Sequence, residues 1–287
     1  MNLIAKRKLW FGISSIIILI GLISMLLFGF NWGIDFTGGL ILHYNIGKDF
    51  DISDVRQILN NFNLKDYEVK KAGDFKQEVI IRTQVLTDEE KAEIYNAIKE
   101  KWPSATLIRT EKVDPIIGEE LRHQALIALT IASIGMLIYI TIRFEFKFAV
   151  AAILAIIHDV LVVLSLFSLL KIPINSPFVA AMLTIVGYSI NDTIVLFDRI
   201  RENIKLMKKS SLEFMVNTSI LQTMARSINT SFTTLITITA LFIFGGETIK
   251  DFALALIVGI ISGTYSSIFI ASPLWLCWKL KEKTSRA

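Results

Sequence analysis

Six long apolar segments constrain the fold of this chain more than any other feature of its sequence. They cover residues 9–30, 125–142, 148–170, 178–197, 227–245 and 252–277. An α-helix rises 1.5 Å per residue, so about 20 residues cross a hydrocarbon layer of roughly 30 Å. The composition agrees, because 53% of the 287 residues are hydrophobic and the mean hydropathy is +0.56. The sequence therefore predicts an α-helical polytopic membrane protein with six transmembrane helices.

The basic residues predict the orientation of these helices. Lys6, Arg7 and Lys8 precede the first segment, which is too long for a signal peptide and lacks a small-residue cleavage site, so we interpret it as an uncleaved span. Fifteen Lys and Arg residues then fall on the side of the N-terminus, whereas the two short loops on the other side carry only Lys171 and Lys250. The positive-inside rule places both termini in the cytoplasm. The net positive charge of the chain is thus explained by membrane topology and does not indicate a nucleic-acid partner.

About ninety polar residues between the first and second spans predict a separate extracytoplasmic domain. Strand-like runs and two amphipathic helices alternate there in the order β-α-β-β-α-β, which is the ferredoxin-like pattern. Thr87 and Glu90 form the spacing of a capping box at the start of the second helix, and Pro103 follows its end. We expect four regions: a cytoplasmic N-terminus with the first helix (1–30), the ferredoxin-like α+β domain (31–124), a five-helix bundle (125–278) and a cytoplasmic tail (279–287).

Two further local patterns concern the bundle. The stretch between Arg199 and Arg226 predicts a long inner loop, with a separate interfacial helix at 212–225 capped by Ser210 and Glu213. The sixth span carries a ridge of small residues four apart, which favours close helix packing against either a partner or a sister helix. The members of the ridge are Ala255, Gly259, Gly263 and Ser267.

An acid within the fourth apolar segment is the leading functional candidate. Asp192 shares a helical face with Thr184, Gly187, Tyr188 and Asn191. An isolated carboxylate in hydrocarbon costs several kcal/mol, so this face should meet a protein interior or a wet cavity. The plainer alternative is a structural hydrogen bond between helices, but an acid at this depth favours a functional role.

The other polar residues within the spans are few. Arg226 opens the fifth segment, with Asn229 and Thr230 close by, and could pair with the acid at 192 or extend to the headgroups. His158 and Asp159 in the third span could form a relay or a satisfied pair. Asp192 and Arg226, near matching depths on adjacent helices, could form a pair whose breaking is tied to protonation, with Asn191, Asn229, Thr230 and His158 as supporting polar residues.

The sequence contains no motif for a nucleotide, metal or redox site that could supply energy. The only cysteine is Cys277, the three histidines are scattered, and no nucleotide-binding loop is present. We expect no metal, no cofactor and no enzyme activity. An ion gradient or a partner must then supply the energy for any work.

Five motifs distributed along the chain resemble the SecF family. They are GIDFTGG (33–39), VDPIIGEEL (113–121), HDV (158–160), VGYSINDTIVLFDRIREN (186–203) and ARSINTS (225–231). The resemblance implies the RND superfamily, a SecD partner, and use of the proton-motive force to promote preprotein export or membrane insertion through the SecYEG channel. It implies that Asp192 is the family's proton-pathway aspartate and Arg226 its functional arginine. Asp159 is matched only through the short HDV motif.

Two other functions fit the same residues. A non-conducting scaffold subunit of the translocon would also bury polar pairs between helices. A small-molecule RND-type transporter would require a larger outer domain with a substrate cleft. Because the sequence ends soon after the sixth span, we expect SecD to be a separate chain.

Overall fold

The computed structural model describes residues 2–62, 64, 67–73, 76–113 and 115–285. Asp114 of the motif at 113–121 and Arg286, one of the fifteen basic residues counted above, lie outside the described residues. The chain begins with a 3-10 turn (Ile4–Lys6) and the first span, α1 (Arg7–Phe28). A short helix, α2 (Ile34–Thr37), then leads into the α+β domain.

The α+β domain has the predicted order of elements. It consists of β1 (Gly39–Asn45), α3 (Ile52–Asn60), β2 (Tyr67–Ala72), β3 (Glu78–Thr83), α4 (Asp88–Lys101) and β4 (Thr106–Val113). The strands pair antiparallel in the order β2-β3-β1-β4, which is ferredoxin-like. The capping box of Thr87 and Glu90 is formed, and α4 ends before Pro103. The apolar residues of both helices cover one face of the sheet.

The remaining helices complete the bundle. They are α5 (Pro115–Arg143), α6 (Phe146–Leu170), α7 (Ser176–Leu206), α8 (Leu212–Phe244), and α9 (Glu247–Ser266), which continues through a π-helical turn (Ser267–Ala271) into α10 (Ser272–Ser285). Six helical stretches of the described chain are long and apolar enough to cross a membrane, which confirms the prediction of six transmembrane helices. They are α1, α5, α6, α7, α8 and the combined α9–α10.

The prediction of a long inner loop with its own helix was wrong. A single helix, α8, runs from Leu212 to Phe244, and only residues 207–211 separate it from α7. The hydroxyl of Ser211, rather than Ser210, accepts the capping hydrogen bond, from the amide of Phe214 at 3.3 Å. No Gly or Pro interrupts residues 212–244, so the drop in hydropathy around Arg226 changes what the helix contacts without ending it.

Close contacts between small residues hold the bundle together. On the sixth span, a Cβ atom at Gly263 would lie 3.0 Å from the Cβ of Ser189, and one at Gly259 would overlap Ile185. The small-residue ridge therefore packs against α7, a sister helix. On α1, a Cβ at Gly21 would overlap the side chain of Ser165 on α6.

The two ends of the chain lie on the same side of the bundle. The amide of Leu3 donates to Asn217 Oδ1 at 2.8 Å, near the start of α8. Lys279 of α10 lies 3.2 Å from Glu145, in the link between α5 and α6. Ends on the same side of the bundle agree with an even number of membrane crossings.

Candidate functional site

Asp192 and Arg226 lie at comparable depths on the adjacent helices α7 and α8. Asp192 comes 16 residues after Ser176, the first residue of α7, and Arg226 comes 18 residues before Phe244, the last residue of α8. At 1.5 Å per residue they lie about 24 Å and about 27 Å from the same end of the bundle. A membrane about 30 Å thick would place both in the half nearer the chain termini.

The carboxyl group of Asp192 is buried and incompletely bonded. The side chain faces the hydroxyl of Ser227 and interacts electrostatically with Arg226. Its Oδ2 atom is buried without a hydrogen-bond partner. In the described part of the chain, no salt bridge joins Asp192 to Arg226. The two residues predicted to pair therefore interact electrostatically without direct contact.

A polar surface surrounds this acid on the outside of the bundle, and we call it the polar face. Its exposed members are Thr184, Gly187 and Asn191 of α7 and Arg226, Asn229, Thr230, Thr233 and Thr237 of α8. Tyr188 joins the two helices by donating to Thr234 at 3.2 Å. Hydrocarbon is a poor solvent for such a surface.

The hydrogen bonds of the polar face show which side chains need an external partner. The threonine hydroxyls are satisfied by carbonyls of their own helices, as in Thr230 to Arg226 O at 2.9 Å and Thr184 to Ala180 O at 2.8 Å. Among the described residues, no side-chain hydrogen bond is formed by Asn191, Asn229 or Arg226. These three side chains require water or another protein surface.

Asp159, in contrast, is completely enclosed within the bundle. Its side chain is 1% exposed and accepts hydrogen bonds from three serines on two other helices. Ser189 donates at 2.7 Å, Ser262 at 2.7 Å and Ser266 at 2.8 Å. A carboxylate with this many donors stabilises the packing of α6 against α7 and α9.

His158 extends this network to α1. Its Nδ1 lies 3.0 Å from Asp159 Oδ1, and its Nε2 lies 3.0 Å from Ser14 Oγ. Ser14 in turn donates to Tyr265 at 3.3 Å, and Tyr265 donates to the carbonyl of Trp10 at 2.9 Å. His158 and Asp159 therefore belong to one continuous network that joins four spans.

Sequence reasoning missed the serines and the tyrosine of this network. Ser262 and Ser266 are four residues apart and line one face of the sixth span, a signal obscured by the neighbouring ridge. Ser14 is one of two adjacent serines in α1, and Ser189 lies among the polar residues of α7, so neither has a spacing that connects it to Asp159. The structure thus separates the predicted residues into an enclosed network around Asp159 and a surface site around Asp192. No group of three or more potential metal-ligating side chains occurs among the residues described.

Two family descriptions match the sequence. Residues 93–281 match "Protein export membrane protein SecD/SecF, C-terminal", and residues 23–42 match the "SecD/SecF GG Motif". The chain is 43% identical over 282 residues to Protein translocase subunit SecF of Calditerrivibrio nitroreducens, which covers 96% of this chain and 92% of that protein. It is 39% identical over 282 residues to Protein translocase subunit SecDF of Bacillus subtilis, covering 97% of this chain and 38% of that protein.

Two solved structures are similar to the whole chain. The crystal structure of SecDF from Thermus thermophilus, described as a translocon-associated membrane protein, matches with a TM-score of 0.86 and 38% identity over 97% of this chain. SecDF in a super-membrane-facing form matches with a TM-score of 0.78 and 36% identity over 100% of this chain. The chain spans 38% and 40% of those two SecDF chains.

Proposed function

Because this chain belongs to the SecD/SecF family of protein export membrane proteins, we propose that it works with SecD in the protein translocase and uses the proton-motive force. In this proposal the complex promotes preprotein export or membrane insertion through the SecYEG channel. The protein spans the bacterial inner membrane with both termini in the cytoplasm, as the bias in basic residues predicts. The α+β domain then lies on the outer side, where preproteins emerge.

One observation carries the proposal: Asp192 has an unpaired carboxyl oxygen at the edge of an exposed polar face. The polar face needs a covering surface within the membrane, and a second helical bundle supplied by SecD meets that need. Its polar groups and internal water would give protons a route to Asp192. Asn191, Asn229 and Thr230 belong to the same surface and would line that route.

Arg226 gives the protonation of Asp192 a mechanical consequence. When Asp192 is ionised, its attraction to the guanidinium favours closing the gap between α7 and α8. When Asp192 is protonated, that attraction is lost and the helices are free to separate. A membrane potential contributes about 2.3 kcal/mol per charge per 100 mV, enough to bias two arrangements of the bundle.

In this proposal Asp159 and His158 support the pathway from inside the bundle. Ser189 anchors α7 to Asp159 three residues before Asp192. The enclosed network would keep α6, α7 and α9 together while the outward face of α7 responds to protonation. Asp159 then acts on the pathway through helix position.

A scaffold subunit that conducts no protons is the second candidate, and the satisfied network around Asp159 favours it. Proton flux in vesicles containing the complex with SecD separates the two functions. Under our proposal, Asp192→Asn lowers the flux driven by an imposed pH gradient while SecD still co-purifies. Unchanged flux together with loss of SecD would instead establish the scaffold.

A further inference from the structure

The glycine-rich segment 31–39, here called the GG segment, runs along the loop between α6 and α7. The amide of Gly33 donates to Ile174 O at 2.7 Å, and the amide of Ile174 donates to Asn31 O at 2.7 Å. These bonds form a short parallel bridge between Trp32 and Ile174. The Asn31 side chain adds a bond to Lys171 O at 2.8 Å. The segment that follows α1 is thus fastened to the loop that precedes α7.

Asp35 in this segment binds the first turn of α7. Its Oδ2 accepts a hydrogen bond from the amide of Ser176 at 2.9 Å. Asn175 caps the same turn by accepting from the amide of Phe178 at 3.0 Å. The first amides of a helix lack partners within the helix, and a carboxylate there also interacts favourably with the helix dipole. Asp35 therefore fixes the end of the helix that carries Asp192.

Glycines allow the backbones around the GG segment to approach closely. A Cβ atom at Gly33 would lie 2.9 Å from Ile174 O, and one at Gly118 of α5 would lie 2.7 Å from the Phe36 carbonyl. Gly38 has φ +73°, a conformation that favours glycine. The segment is held between α5 and the α6–α7 loop, with little space on either side.

β1 begins only four residues after Asp35 and lies inside the sheet, between β3 and β4. The connection from the N-terminal end of α7 to the central strand β1 of the α+β domain is therefore short. A second contact lies elsewhere on the domain, where Lys70 of β2 reaches Asp251 of α9 at 2.5 Å. The GG segment is the direct contact between α7 and the domain, whereas the Lys70 contact reaches the domain through α9.

We propose that the GG segment is the joint between the Asp192-bearing helix and the α+β domain, and that Asp35 is its positioning residue. A displacement of α7 is transmitted through the Asp35–Ser176 bond to β1 and moves the sheet. The inference rests on the proposed function insofar as protonation of Asp192 drives the displacement. The joint itself is a property of the fold and can be tested without protons.

Three variants isolate the joint. Asp35→Ala removes the acceptor, and Ser176→Pro removes the amide donor at a helix position that tolerates proline. Asp35→Asn keeps an acceptor oxygen and serves as the conservative variant. Asp88→Ala is the matched control, because Asp88 is an exposed acid in the first turn of α4, outside the GG segment.

The first measurement compares proton flux with preprotein export in vesicles containing the SecD complex and the SecYEG channel. We expect Asp35→Ala and Ser176→Pro to lower export roughly fivefold while proton flux stays at the wild-type level. The loss of a helix cap typically shifts a conformational equilibrium by about this factor. Asp35→Asn should retain most of the export, and Asp88→Ala all of it. Wild-type export in both disrupting variants, or a parallel loss of flux and export, would overturn the proposal.

A second measurement works even if Asp192 conducts no protons. With Cys277 replaced by serine, spin labels at Glu89 and Leu206 report the distance between the α+β domain and the far end of α7. We expect Asp35→Ala and Ser176→Pro to broaden this distance distribution, and Asp35→Asn to leave it narrow. An unchanged distribution in both disrupting variants refutes the joint, whereas flux insensitive to Asp192→Asn refutes only the proposed function.

Discussion

Ser189 donates a hydrogen bond of 2.7 Å to Asp159 from the helical turn just before Asp192. Because Ser189 and Asp192 are three residues apart in α7, they are neighbours on the helix surface at nearly the same depth. Ser189 is bonded to the enclosed acid of α6, whereas Asp192 lies at the edge of the exposed polar face. A change in charge at Asp192 therefore acts on a helix that is anchored one turn away.

Removing the enclosed acid should destabilise the bundle. Asp159→Ala leaves Ser189, Ser262, Ser266 and His158 without their shared acceptor. Hydrogen bonds between membrane helices average about 0.6 kcal/mol each, so losing the three serine bonds should lower the unfolding free energy by about 2 kcal/mol. Thermal unfolding of the purified protein in detergent measures this loss.

Ser133→Ala is the control for that measurement, because Ser133 donates to the Leu129 carbonyl of its own helix. It should lower the stability by much less than Asp159→Ala. Equal effects of the two variants would mean that the serine network contributes nothing specific to the packing of α6, α7 and α9.

The packing of α1 against α6 depends on the absence of a side chain at Gly21. A Cβ there would overlap the Ser165 side chain and lie 2.9 Å from its Cα. Gly21→Ala should therefore cost about 1–3 kcal/mol by overpacking. Gly12 of the same helix has no atom within 4 Å of a built Cβ, so Gly12→Ala should be neutral or slightly stabilising. Similar melting temperatures for the two variants would contradict this packing.

The ion pair of Lys70 and Asp251 should couple the stability of the α+β domain to that of the bundle. The two side chains are only 18% and 15% exposed and lie 2.5 Å apart. A double-mutant cycle with Lys70→Met and Asp251→Asn should give a coupling energy of about 1–3 kcal/mol, typical of a hydrogen bond between charged groups. Additive effects, to within about 0.5 kcal/mol, would show that the contact does not hold the domain.

Local sequence patterns predicted the elements of the fold because their causes are local. Six apolar segments gave the six spans, and Thr87 with Glu90 predicted the start of α4. The order of strands and helices was sufficient to predict the ferredoxin-like domain. Helix ends within the bundle were less predictable, since α8 continues through polar sequence around Arg226 that hydropathy alone would exclude from a span.

The contents of the candidate site were only partly predictable because they depend on contacts between distant helices. The depths of Asp192 and Arg226 followed from their positions in the sequence. The serines around Asp159 come from α7 and α9, 30 to 107 residues further along the chain, so no local pattern connects them. Likewise, the periodicity around Asp192 revealed a polar helical face, but only the assembled bundle showed that most of this face points outward.

Proton-dependent export by the Asp192→Asn variant tests the central claim most directly. The complex with SecD and the SecYEG channel would be assembled in vesicles, and export would be measured with and without an imposed proton gradient. Asp198→Asn is the matched control, because Asp198 lies on the same helix but pairs with Arg201 at 3.1 Å. The account predicts that Asp192→Asn abolishes the stimulation by the gradient while Asp198→Asn preserves it. Full stimulation in the Asp192→Asn variant would contradict it.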